Sequence, residues 1–206
     1  MNTKKVFPVI IGVAVVAFLI YSFSSGTESS QQYAEEIKKE RLEKDDFMKN
    51  DEGSPFNDST ITFSPLHYFE PDIKFRVNAD LEPIENKKMI VLPTSDGKEK
   101  KYLEYAYATF KLEGVKNKLL ILEIIDMGPY KGTLFLAFAD ETSARETYGA
   151  GRYLDLKKVP GAATITLDFN KTYNPYCAYS ERFSCPFPVK ENVLKVPIYA
   201  GEKTFH

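Results

Sequence analysis

Hydrophobic and polar positions change pattern four times along the chain. Lys4 and Lys5 precede an uncharged run over residues 6–25, with its apolar core at 9–21. A membrane-spanning helix needs about 20 such residues, so the run sits near the lower limit. Two readings stay open. One is an uncleaved single-pass anchor in the inner membrane, with the lysines inside and the following domain outside the cytoplasm. The other is a signal peptide, cleaved near Ser22–Gly26 to leave a secreted or periplasmic protein. The long, bulky apolar core and the poor small-residue cleavage signal favour the anchor.

Residues 26–32 are small and polar and read as a linker. Residues 33–48 are densely charged. Glu35/Lys39 and Glu40/Lys44 have the i,i+4 order that supports a helix. Tyr33, Ile37, Leu42 and Phe47 give only a partial apolar stripe, as expected of a solvated spacer helix that docks weakly. Gly53, Ser54 and Pro55 end it. The organisation expected is therefore a membrane segment at 1–25, a linker and charged helix at 26–54, and a β-rich domain at 55–206.

Beyond residue 55 the period falls to two. Ile73, Phe75, Val77, Ala79 and Leu81 alternate with Lys74, Arg76, Asn78 and Asp80, the pattern of a strand with one wet face. Further strands are predicted over 89–93, 102–112, 119–125, 133–139, 152–156, 163–169 and 193–199. The segments 119–125 and 133–139 are apolar at both alternating sets of positions, so they are expected to be central and covered on both sides. Ser95-Asp96-Gly97, Gly114 and Asp126-Met127-Gly128-Pro129 are turn signals. Short turns between successive strands predict an antiparallel meander closing into a barrel or sandwich. Pro197 lacks an N–H and should place the last strand at an edge.

Composition changes this picture little. Hydrophobic residues make up 43% of the chain, enough for a core, and the net charge of −2 carries no nucleic-acid footprint. Thirteen Tyr and 15 Phe without Trp suit pleated surfaces. Two Cys and two His leave little material for a metal site, and no cofactor is expected. Nucleotide, P-loop, zinc-protease and nucleophile-elbow motifs are missing. His67 reads as a surface or packing residue.

The unusual stretch is 149–203, which holds a loop of more than 20 residues, 170–192, rich in aromatics and amides. Loops longer than about 12–15 residues are often functional. Arg152, Asn170, Tyr173, Asn174, Tyr179, Glu191 and Asn192 are the ligand-binding candidates. An Arg fork at 152 could hold a carboxylate or phosphate. Alternatively the asparagines cap turns and the loop packs on the sheet. Cys177 and Cys185 are a disulfide candidate for an exported chain; free thiols are the second reading and a catalytic pair the third.

Ordered motifs in this stretch resemble the bacterial family called domain of unknown function 1684. They are Thr147-Tyr148-Gly149-Ala150-Gly151-Arg152-Tyr153-Leu154-Asp155, Asp168-Phe169-Asn170, Tyr173-Asn174-Pro175-Tyr176-Cys177-Ala178-Tyr179, Cys185-Pro186, Glu191-Asn192 and Gly201-Glu202-Lys203. Ser54-Pro55-Phe56 and Phe75-Arg76-Val77-Asn78-Ala79 fit more loosely, and Pro186-Phe187-Pro188 and Lys190 depart from the pattern. The resemblance runs from about residue 33 to 203. It implies no activity, substrate or cofactor. Cytoplasmic members also carry the Cys pair, which keeps free thiols open.

Two functions follow as expectations. The first is a membrane-tethered binding or interaction module whose partner is an unknown small molecule or envelope protein. The second is an enzyme, such as a hydrolase acting on an envelope component, with Glu191 or Asp168 as acid or base and Arg152 as anion clamp.

Overall fold

A computed structural model describes residues 29–57, 61–126 and 128–205. The expected membrane segment lies outside the described residues. Among the described residues no helix is long and apolar enough to cross a membrane.

Helix α1 spans Ser30–Asn50. It starts earlier than the charge pattern predicts, because Ser29 caps it by accepting from the Gln32 amide at 3.1 Å. Its buried positions are Tyr33, Ile37 and Met48. The expected stripe fails at Leu42, which is 70% exposed, and at Phe47, which is 38% exposed. Arg41 and Lys44 complete the docking face instead. Arg41 donates to the Phe69 carbonyl at 2.7 Å, and Lys44 pairs with Glu202 at 3.0 Å. Long basic side chains can lay apolar stems along a surface and still place their heads on acceptors. The helix is thus pinned to the β domain, more firmly than a weakly docked spacer.

Among the described residues seven strands form one antiparallel sheet: β1 (Arg76–Pro83), β2 (Met89–Pro93), β3 (Glu99–Leu112), β4 (Val115–Ile124), β5 (Leu134–Phe138), β6 (Arg152–Leu156) and β7 (Thr164–Asp168). Their order is β6-β5-β4-β3-β1-β7, with β2 also on β3. Leu81 faces Ala108 and Met89 faces Leu103, so β1 and β2 run in series along one edge of β3. They act as one strand interrupted by a bulging link. β3 carries its own irregularity between Glu104 and Ala106, which adds twist.

The meander prediction holds from β1/β2 through β6. Then β7 returns to β1, with Val77 opposite Leu167. This return curls the sheet into a half-barrel and brings its two ends, β6 and β7, face to face. They form no ladder with one another, so the barrel expected from the sequence stays open along one seam.

Both faces of the sheet are covered at β4 and β5, as their apolar patterning predicts. β5 is buried throughout, and so are Leu119, Leu120, Ile121 and Leu122 of β4. The concave core packs Phe110, Leu119, Ile121, Leu136, Phe138 and Leu167 around Phe169. Each such side chain contributes roughly 1.5–3 kcal/mol of burial. Residues 193–200 were expected to be a strand and are not one. They cross the concave side as an extended segment, alternately inserting Leu194, Val196, Ile198 and Ala200 into the core. Pro197 interrupts any ladder there. On the convex side, Tyr102, Leu120, Phe135 and Tyr153 are covered by Tyr176, Phe183 and Cys185 of the long loop.

Candidate functional site

Most residues singled out in the sequence are brought together by the fold, but as buried joints. Arg152 is fully buried. Its guanidinium pairs with Asp140 at 2.9 Å and donates to the carbonyls of Ile198 (3.0 Å) and Ala200. Those bonds tie the extended 193–200 segment to β6. A guanidinium buried and held in this way by internal partners has no room to clamp an outside anion.

Asn192, also buried, staples two strands from the loop side. It accepts from the Leu120 amide at 2.7 Å and donates to the carbonyls of Leu120 and Ala137, each at 2.9 Å. Asn170 exchanges bonds with the backbone of Asp72, at 2.9 and 2.8 Å. Asn174 and Tyr179 both donate to the buried carboxylate of Glu202. Burial and that carboxylate hold the Tyr179 phenol well above its ordinary value. Gly201, beside it, has φ of +75°, and a Cβ there would meet Thr172 and the Phe169 carbonyl. Only glycine fits that close approach.

The proposed acid–base set does not assemble. Glu191 is exposed and takes a 3.4 Å bond from the Tyr107 hydroxyl. Asp168 is buried and accepts from the Tyr33 hydroxyl at 2.7 Å, while Arg152 is locked in the core. His67 is exposed. Cys177 and Cys185, the disulfide candidate, come side by side and are two free thiols in this structure. The Cys177 amide donates to Cys185 Sγ at 3.2 Å.

The open seam is what the patterning did not reveal. Between β6 and β7 lies a cleft of about 490 Å³. Leu81, Leu134, Leu154, Leu156, Val159 and Ile165 give it apolar walls. Glu36, Glu40, Arg76, Lys157 and Lys171 form a rim of mixed charge. α1 lines one side through Tyr33 and Ile37. At the start of β6, Tyr153 exchanges backbone bonds with Tyr173 at 2.9 and 3.1 Å and takes up part of the strand edge. The link 157–163 joins the strands at the other end. The volume lies within the ~300–1,000 Å³ typical of small-molecule sites, and apolar walls with few polar groups are their usual form.

One titratable group on the cleft is set apart. Asp155 receives the Tyr173 hydroxyl at 2.9 Å, and crowding by the protein raises its carboxyl above the ordinary value. Tyr173 is itself held high, by burial and by Asp155. Of the sequence candidates, Tyr173 reaches Asp155 and Asn170 reaches Asp168, and both carboxylates line the cleft. The signal that could have found the rest is the length of the chain between β6 and β7. The link is long enough to let two consecutive strands splay.

The described residues contain no grouping of His, Cys, Asp and Glu suited to a metal ion. No curated protein matches the chain. A solution NMR structure of an uncharacterized protein from Haloarcula marismortui is similar, with a TM-score of 0.63 and 35% identity. The similarity covers 84% of this chain and 95% of that one. A family model described as "Protein of unknown function (DUF1684)" matches residues 61–203. The chain therefore belongs to the DUF1684 family.

Proposed function

We propose that the chain is a binding module whose β6/β7 seam takes a small amphipathic molecule, held outside the cytoplasm at the membrane by residues 1–25. The observation that carries this reading is the cleft itself: apolar walls, a charged rim, and two strand edges that form no ladder with each other. An apolar moiety would displace water from Leu81, Val159 and Ile165, while Arg76, Lys157 or Lys171 would meet a polar head. The tether rests on the apolar run of the sequence. Since α1 begins at Ser30, few residues separate that run from the helix, and α1 borders the cleft. A connection of four residues spans at most about 14 Å, so an anchored chain would hold its cleft close to the bilayer surface.

The test uses the full chain in detergent-free nanodiscs. Native mass spectrometry would look for a co-purified small molecule, and dodecanoate would be titrated by calorimetry. Saturable binding that is lost in Ile165→Arg supports the reading. Equal heats in wild type and Ile165→Arg, with nothing co-purified, would overturn it.

Asp155 favours one second reading, an enzyme in which this carboxyl donates or accepts a proton inside the same cleft. Carboxyls held above their ordinary value beside a cleft are frequent in catalysis. A ligand that is bound by Asp155→Asn but converted only by the wild type would select it.

A further inference from the structure

Cys177 and Cys185 lie outside the seam, where the long loop covers the convex core. Three features set them apart from two packed thiols. First, they touch: the Cys177 amide donates to Cys185 Sγ at 3.2 Å, and the two side chains are hydrogen-bond partners. Second, they differ in access, because Cys177 is half-buried while Cys185 is buried. Third, hydroxyls surround them. The Tyr148 hydroxyl lies 3.9 Å from Cys177 Sγ, and the Ser95 hydroxyl accepts from the Cys185 amide at 3.1 Å. The Ser95 amide also donates to the Cys185 carbonyl at 2.9 Å, so the pair is held against the turn after β2.

We infer that the pair is a thiol–disulfide exchange site for small-molecule disulfides, with Cys177 as the attacking thiol and Cys185 as the resolving thiol. The Cys177 thiolate attacks one sulfur of a disulfide RS–SR. A Cys177–S–SR bond forms, the RS–SR bond breaks, and RS⁻ leaves. Cys185 then gives up its proton, attacks Cys177 Sγ and expels the second RS⁻. The products are a Cys177–Cys185 disulfide and two RSH, so two protein thiols are oxidised as one external disulfide is reduced.

The surroundings fit each step. Hydrogen bonding with Cys185, and with the Tyr148 hydroxyl, pulls Cys177 down to about 6, against the effect of burial. A thiolate of that kind is the reactive form near neutral pH. Cys185 is held high by its bond to Cys177 and by burial. Once Cys177 is capped as a mixed disulfide its charge is gone. The Cys177 amide, already aimed at Cys185 Sγ, can then stabilise the second thiolate. Access dictates the order, since an outside disulfide reaches Cys177 first.

The experiment treats the full-length protein with glutathione disulfide and follows intact mass and peptide maps. Wild type should end with a Cys177–Cys185 bond and no retained glutathione. Cys185→Ser should instead accumulate glutathione on Cys177, and Cys177→Ser should stay largely unmodified. Iodoacetamide labelling of reduced wild type requires no variant. Cys177 should label with a half-maximal rate near pH 6, against ~8.5 for an unperturbed thiol. The inference is overturned if Cys185 is capped first, if Cys185→Ser fails to retain glutathione, or if Cys177 labels with an ordinary thiol profile.

Discussion

The C-terminal stretch 168–203 and the β6/β7 seam are neighbours built on opposite principles. The first is crowded with Asn, Tyr and Glu, yet its buried Asn170, Asn174, Tyr179, Asn192 and Glu202 are all engaged inside the protein. The second is made of unremarkable alternating strands, yet it leaves two edges unjoined and a cleft between them. Residue types that commonly mark binding sites here do the work of strand pairing. A segment that crosses a core without joining a ladder must satisfy its backbone by other means. Arg152 does so for 193–200, and Asn192 does the same for the β4 and β5 backbone at Leu120 and Ala137. The seam needs no special residues, only strands that diverge.

The largest test of that contrast is Arg152→Ala, which would leave the Asp140 carboxylate buried without its partner. Loss of one member of a buried pair costs about 3–5 kcal/mol, and urea denaturation should show it. A loss under about 1 kcal/mol would mean that Arg152 does not hold 193–200 to β6. Asn192→Ala removes three hydrogen bonds to β4 and β5. It should cost roughly 2–3 kcal/mol by the same measurement.

Alkali probes the same buried network. Burial and neighbouring carboxylates raise the phenols of Tyr33 and Tyr179, and burial pushes Tyr102 up to about 12. These groups keep their protons in the folded chain after the unfolded chain has lost them. Stability should thus be fully present below pH ~10, the ordinary tyrosine value, and fall as pH rises above it. Circular dichroism and tyrosinate absorbance should change together rather than in sequence.

The seam should behave in the opposite way. Ile165→Arg sits on a half-buried wall and should cost only about 1 kcal/mol, while abolishing dodecanoate binding. If stability collapses first, the cleft is part of the core. The smallest effect is expected at Lys118→Met, which breaks an exposed 2.7 Å pair with Glu82. It should change stability by less than ~1 kcal/mol and leave both regions intact.

Much of the architecture was legible in residue patterns. Period-two alternation located β1, turn signals bounded the strands that follow, and the double-sided apolar character of 119–125 and 133–139 marked the centre of the sheet. The docking face of α1 was not legible, since Arg41 and Lys44 read as solvated charges until acceptors at Phe69 and Glu202 lie beneath them. Nor was 193–200, whose alternation imitates a strand although its side chains plug the concave face. The roles of the candidate residues were not legible for a related reason. Arg152 and Asn192 have the same chemistry whether they meet a ligand or a backbone carbonyl.

Local information was therefore enough for the strands, their turns, the central pair and the family membership. It was enough because side-chain alternation and turn chemistry act over a few residues. The return of β7 to β1, the open seam, and the meeting of Cys177 with Cys185 depend on segments far apart in the chain. Whether two strand edges join or diverge is set by the accumulated twist and curl of all the strands between them. No single stretch of residues carries that quantity, and at this seam it decides where a ligand could enter.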